Sequence, residues 1–170
     1  MTEASLCKLD AILFTPKQIS GKVGWSNEDR PSSAFSFSAA LRLNDEPLNG
    51  LKLHGRAASD GPVGWLSLTL TAEAIPLERL SYLPHNPHTN KAPEWAPQNL
   101  HRQYFAARIS RRYAWGNNRV LPHDKRREMA SSIDENLVDA AQAIRYALKV
   151  MNIQGVVPEP EFQPTLGFVV

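Results

Sequence analysis

Residues 35–43, Phe-Ser-Phe-Ser-Ala-Ala-Leu-Arg-Leu, alternate apolar side chains with small or polar ones. The same rhythm returns in 51–56, Leu-Lys-Leu-His-Gly-Arg, and in 66–72, Leu-Ser-Leu-Thr-Leu-Thr-Ala. A period of two is typical of strands that bury one face. Turn-forming sequences separate the runs, Asn-Asp-Glu-Pro at 44–47 and Ser-Asp-Gly-Pro at 59–62. Because parallel strands need long crossovers, these short connections predict an antiparallel meander.

Further elements follow on either side of the meander. A strand is predicted at 75–83, with weaker strand candidates at 9–14 and 22–25. Residues 133–151 repeat Leu, Ile and Ala at helical spacing behind a capping-box pair, Ser132 and Glu135. We expect this helix to lay its apolar stripe on the sheet. The predicted fold class is therefore α+β, a curved antiparallel sheet of about five to seven strands with one main C-terminal helix packed on it.

Length and composition predict a single domain over residues 1–170. It includes a loop rich in proline and histidine at about 84–100 and an extended tail at 156–170 that wraps the body. The single cysteine, Cys7, excludes an internal disulfide framework. The chain has no basic-then-apolar leader and no apolar run of the roughly 18 residues that span a bilayer. We therefore expect a cytoplasmic protein that does not enter a membrane, while its oligomeric state is not specified.

The charge is concentrated in residues 101–127, where eight Arg or Lys face one acid, Asp124. The segment thus carries +7, and because the whole chain is +2, the remainder sums to −5. A local excess of this size predicts the docking of an anionic partner.

A strand predicted at 104–113 would place Phe105 and Ile109 in the core and turn Tyr104, Arg108 and Arg112 outward. Guanidinium groups donate in pairs to phosphate oxygens, and aromatic rings stack on unpaired bases. The pattern favours a binding protein for nucleic acid or another phosphate-rich ligand. The predicted contact residues are Arg102, Tyr104, Arg108, Arg111, Arg112, Tyr113, Trp115 and Arg119.

Three other interpretations stay open. The basic surface fits an acidic protein partner, as in an inhibitor or an antitoxin-like module. Its charge is also explained if the acidic remainder neutralises it within the fold, since residues 128–170 sum to −4. A small ribonuclease would use His88 or His101 to move a proton, with the arginines stabilising the transition state.

Common catalytic motifs are missing from the sequence. It contains no glycine-rich phosphate loop and no Gly-x-Ser-x-Gly elbow, which disfavours ATP, dinucleotide and serine-hydrolase chemistry. We therefore lean against an enzyme and expect no cofactor. The histidines of the loop, His85, His88 and His101, are weak candidates for a metal site, because their spacing lacks the fixed geometry of a helix. A structural loop whose histidines bond to backbone carbonyls is the favoured alternative, and no metal is predicted.

Overall fold

A computed structural model describes residues 2–27, 34–58, 64–119 and 129–161. It mixes helices with a mostly antiparallel sheet, and the sheet dominates, so the predicted mixed class is confirmed. No helix within these ranges has both the length and the apolar composition of a membrane span.

The described part of the chain contains three α-helices, one 3-10 turn and eleven strands. The helices are α1 (Glu3–Phe14), α2 (Trp115–Asn118) and α3 (Ala140–Val150), and the 3-10 turn is Gln98–Leu100. The strands are β1 (Lys17–Ile19), β2 (Ser26–Asn27), β3 (Ala34–Leu43), β4 (Glu46–Ala58), β5 (Trp65–Ala72), β6 (Ile75–Tyr82), β7 (His88–Thr89), β8 (Tyr104–Phe105), β9 (Arg111–Tyr113), β10 (Ser131–Ser132) and β11 (Ile153–Gln154).

Strands β3 to β6 are consecutive antiparallel neighbours, which is the predicted meander. The main sheet continues through β9 and β10 beyond β6, and through β1 and β11 beyond β3, while β2 also pairs with β3. Strand β1 pairs with β11 in parallel. The main sheet therefore has nine described strands, more than the five to seven that were predicted. The additional strands at its edges are two or three residues long, which is too short to show an alternating pattern in the sequence.

The two faces of the meander differ in polarity. Leu53 and Leu70 pair on one face, and both are fully buried in the core. Helix α1 contributes three residues to this core, and α3 contacts β5, β6 and β11 and adds five buried residues to the same cluster. The other face, called here the polar face, carries Lys52, His54, Arg56, Ser67, Thr69, Arg79 and Ser81 on strands β4 to β6.

Two sequence predictions about helices were wrong. Residues 9–14 belong to α1 instead of a strand, because Thr2 caps a longer helix by accepting from Ser5 N at 3.2 Å. Helix α3 begins at Ala140 instead of 133, since the Asp139 carboxylate accepts from Gln142 N at 2.6 Å and provides the cap.

Two further predictions concern the N-terminal strands and the tail. Residues 22–25 form no strand and instead lead into β2. The tail packs on the body at 157–158, since Val157 is buried and Trp25 Nε1 donates to Pro158 O at 2.8 Å. Residues 162–170 lie outside the described ranges.

Gly55 of β4 provides the space in which Phe37 of β3 packs. The two residues are cross-strand partners, and a Cβ atom at position 55 would overlap the Phe37 ring. That ring is also held by Trp25, whose centroid lies 4.7 Å away at an interplanar angle of 87°. A glycine is therefore required at position 55 for steric reasons.

We expect Gly55→Ala to lower the free energy of unfolding by about 1–3 kcal/mol, because the methyl group forces the Phe37 ring out of its packed position. Gly24→Ala is the matched control, since a Cβ atom there meets nothing within 4 Å. Urea unfolding of the two variants measures the difference. Equal midpoints would show that the ring moves aside freely.

Candidate functional site

The basic segment is not the continuous strand that the sequence predicted. It is divided into β8 and β9 by a turn in which Arg108 has φ 65° and its N–H donates to Pro84 O at 2.8 Å. A positive φ is incompatible with an extended strand. The predicted alternation therefore fails after Phe105, which is buried, and Ile109 is exposed instead of buried.

Arg112, one of the predicted phosphate contacts, pairs with a carboxylate in the core. Its Nε donates to Glu78 Oε1, and Glu78 is only 1% exposed. Glu78 Oε2 also accepts from Trp115 N at 3.2 Å. Burial raises the pKa of Glu78, while the two hydrogen bonds and the charge of Arg112 act in the opposite direction.

Trp115 and Arg119 fasten α2 to α1. Trp115 Nε1 donates to Asp10 Oδ1 at 2.6 Å, and Arg119 Nε donates to Asp10 Oδ2 at 3.0 Å. Arg119 also reaches Glu3 Oε1 at 2.7 Å. Hydrogen bonds from Arg119 hold the pKa of Asp10 below its usual range. Trp115 is 2% exposed, so its ring faces cannot stack on a base. For Arg112 and Arg119, the interpretation that the fold neutralises the charge internally matches the contacts.

The remaining predicted residues divide between the surface and the interior. Arg102 and Tyr104 are exposed, and Tyr104 keeps 64% of its surface accessible. Tyr113 is buried, and its hydroxyl accepts from Arg111 Nε at 3.0 Å. The histidine and basic residues at 123–127 lie outside the part of the chain that the structure describes.

Arg111 lies on the polar face, since neighbouring residues of a strand point to opposite sides and Arg112 turns to the core. There it lines a pocket of about 250 Å³ together with Arg56 and Arg79. This site, called here the arginine pocket, also includes Trp65, Ser67 and Ser81, and none of its described lining residues is acidic.

Strand register explains how the pocket forms. Arg56 pairs with Ser67, Ser67 with Ser81, and Ser81 with Arg111, so these four residues form one row across β4, β5, β6 and β9. Adjacent strands lie about 4.8 Å apart, and the row therefore spans roughly 14 Å of backbone. Two small serines form its middle and two long arginines flank them. Arg79 lies two residues before Ser81 on β6, and therefore on the same face, where it pairs with Thr69 and Tyr113.

Protein contacts orient the guanidinium groups. Arg111 Nη2 donates to Asn86 O at 2.9 Å, in addition to its bond to the Tyr113 hydroxyl. Arg79 Nε donates to Ser67 Oγ at 3.0 Å, and its Cζ lies 5.4 Å from the centroid of Tyr113. Arg56 Cζ lies 5.9 Å from the centroid of Trp65. These contacts pre-organise the three cations before any ligand arrives.

Arg111 Nη1 and Ser81 Oγ are buried in the pocket without a hydrogen-bond partner among the described residues. Arg111 is 5% exposed and Ser81 is 2% exposed. Leaving such groups unsatisfied costs roughly 1–3 kcal/mol each, and more for a charged donor. Native structures contain few of them, and each calls for an explanation, such as an ordered water, an ion or a functional role.

The loop histidines do not converge. His88 Nε2 lies 2.9 Å from Asn90 Oδ1, and His101 Nε2 lies 2.9 Å from Ala96 O. Because both partners are acceptors, each Nε2 carries the proton. His85 instead packs edge-on against Trp65, with centroids 6.1 Å apart. Across the described ranges, no group of three or more His, Cys, Asp or Glu side chains is arranged to hold a metal ion.

The sequence matches no family model, and neither curated proteins nor solved structures show a significant similarity to it. Sequence reasoning found Arg111 but missed Arg56, Arg79 and Ser81. The sequence shows only that each of these residues occupies the polar side of an alternating strand. That they lie close together in space follows only from the register between the strands.

We expect Arg112→Met to lower the free energy of unfolding by about 3–5 kcal/mol, because it leaves the Glu78 carboxylate buried and unpaired. Adding Glu78→Gln should restore much of the loss, since the neutral amide has no charge to compensate. Arg102→Met is the control, because Arg102 is an exposed arginine of the same segment.

Thermal and urea unfolding of the three variants test this expectation. An Arg112→Met protein as stable as Arg102→Met would contradict the assigned role of the ion pair.

Proposed function

We propose that this protein binds phosphate groups of nucleic acid, or of another phosphate-rich ligand, through the arginine pocket and the adjoining polar face. The observation that carries the proposal is that three guanidiniums line one pocket, in which Arg111 Nη1 and Ser81 Oγ are buried without a hydrogen-bond partner among the described residues. A cytoplasmic location, where both kinds of ligand occur, belongs to the same proposal.

The chemistry of the surrounding side chains supports phosphate as the recognised group. Arginine donates two parallel hydrogen bonds to phosphate oxygens and keeps its charge at all physiological pH values. Serine hydroxyls at the middle of the row add donors without occupying much space. Trp65 beside them offers an aromatic surface of the kind on which bases stack.

The shape of the surface supports a ligand that extends beyond the pocket. A volume of about 250 Å³ is below the usual range of roughly 300–1,000 Å³ for sites that enclose a whole ligand. Exposed Lys52 on β4 continues the positive charge along the polar face outside it. Exposed Arg102 and Tyr104 remain proposed contacts from the neighbouring segment.

A protein partner is the second candidate. Tyr104 and Ile109 are exposed, at 64% and 51%, within the same basic segment. Aromatic side chains beside arginine are enriched at protein interfaces. The ribonuclease alternative has less support, because His88 and His101 both donate Nε2 to protein acceptors and neither lines the pocket. It stays a prediction.

Fluorescence anisotropy with labelled single-stranded RNA, single-stranded DNA and duplex DNA, repeated over a salt series, tests the proposal. We expect single strands to bind best and the logarithm of affinity to fall linearly with the logarithm of salt concentration. Arg56→Gln should weaken binding about tenfold and reduce the slope by about 0.7, the value of one phosphate contact on a single strand.

Arg145→Gln is the matched control, since it removes the same charge from an exposed position on α3. It should leave both affinity and slope nearly unchanged. No binding at low salt would overturn the nucleic-acid form of the proposal and favour a protein partner.

A further inference from the structure

The polar face carries basic side chains outside the arginine pocket. On β4, Lys52, His54 and Arg56 alternate with buried residues and therefore share this face. Residues two positions apart on a strand are separated by about 6.6 Å along its axis, so the three side chains form one column. Of these three, Arg56 lines the pocket, and Lys52 and His54 form a neighbouring basic pair.

The surroundings of His54 on this face combine hydroxyl groups with cations. Its direct cross-strand partners are Ser38 on β3 and Thr69 on β5, and Lys52 and Arg56 stand on either side of it on β4. The next residues of the same face are Ser36 and Ala40 on β3, Ser67 and Thr71 on β5, and Arg79 on β6. Every charged side chain in this set is a cation.

His54 is the member of the set that titrates near neutral pH. It is half-buried, and this burial, followed by the charge of Lys52, holds its pKa below the usual imidazole value. An anion beside Lys52 offsets the repulsion between that ammonium and a proton on His54, and it accepts a hydrogen bond from the imidazolium. Anion binding here and protonation of His54 consequently favour each other.

A nucleic-acid strand supplies an anion at this place. It carries one phosphate per nucleotide, so a strand held by one phosphate in the arginine pocket presents others nearby. The column on β4 leads out of the pocket from Arg56, and His54 and Lys52 are the next basic side chains along it. Lysine contributes a charge on a flexible stem, and an imidazolium donates from either ring nitrogen. The pair therefore fits a second phosphodiester of the same ligand.

We propose that Lys52 and His54 form a second phosphate subsite on the polar face, in which His54 binds in its imidazolium form. The proposal rests on the proposed function, because the strand that the arginine pocket holds delivers the second phosphate. One proton is taken up from solvent when the subsite fills and is released when the ligand leaves. Affinity therefore rises as the pH falls. The gain is complete below the pKa of His54 in the free protein and absent above its higher pKa in the complex.

Fluorescence anisotropy of the full chain with a labelled strand of uridines tests the proposal, between about pH 8 and about pH 5 at constant ionic strength. The probe carries no terminal phosphate monoester, because such a group titrates in the same range. We expect the wild type to bind about tenfold more tightly at the acidic limit, which is the effect of one charge-assisted contact.

Two variants at one position separate the charge from the shape of the side chain. His54→Gln should lose the pH dependence, since an amide does not titrate. His54→Lys should also bind independently of pH, but with the affinity that the wild type reaches at the acidic limit, because its charge persists. His101→Gln is the matched control, since it makes the same replacement in the loop, outside the strands of the polar face, and it should keep the tenfold change.

Nuclear magnetic resonance titration of the imidazole signals measures the same coupling from the side of the proton. The signal of His54 is assigned by its absence in His54→Gln. Its pKa should rise when saturating RNA is added, by the amount that a tenfold change in affinity requires.

An RNA affinity without pH dependence, or a pH dependence that survives in His54→Gln, would overturn the assignment of this subsite. Its loss in His85→Gln instead would place the proton uptake in the arginine pocket and overturn the assignment as well. The proposed function stands in these cases if Arg56→Gln still weakens binding. Absence of binding at every pH would overturn both.

Discussion

The buried carboxylate of Glu78 is the constraint on which the arrangement of this protein depends. A charge in the core must be paired, and Arg112 and the N–H of Trp115 provide its partners. Their bonds fix β9 on β6 with Leu80 opposite Arg112 and also fix the start of α2. Since strand neighbours alternate in direction, Arg111 is then directed to the polar face. The pairing of one core charge thus sets the position of a pocket residue.

Side-chain amides hold the irregular segments near this edge of the sheet. Asn90 donates to Ala130 O and accepts from Ala130 N, while Asn118 makes the same two bonds with Met129. Each asparagine side chain thereby makes the pair of backbone hydrogen bonds that a neighbouring strand would otherwise make with the segment leading into β10. The proline-rich loop and α2 are consequently tied to the strands that carry the pocket, although they contain little regular structure of their own.

The sequence predicted those parts of the fold that depend on local patterns. Alternation identified β3 to β6, and helical spacing identified the second half of 133–151. It missed α1, because a short apolar run at 9–14 fits a strand or a helix equally well. The break at Arg108 was also missed, since a positive φ at an arginine leaves no compositional signal. The arginine pocket depends on register between four strands, and register is a non-local property that turn lengths and side-chain patterns specify only together.

The basic residues that are close together in the sequence are not the ones that lie close together in the fold. Of the arginines in the basic segment, Arg112 and Arg119 neutralise acids of the fold, and Arg111 joins two arginines that are distant in sequence. A cationic site assembled from β4, β6 and β9 has its donors on paired strands, whose backbone is held on both sides. As a proposed anion site, it would lose little conformational freedom on binding, whereas a basic loop must first be ordered. In the proposed function, this rigid placement would favour a compact group with fixed geometry, such as a phosphate, over general attraction to negative charge.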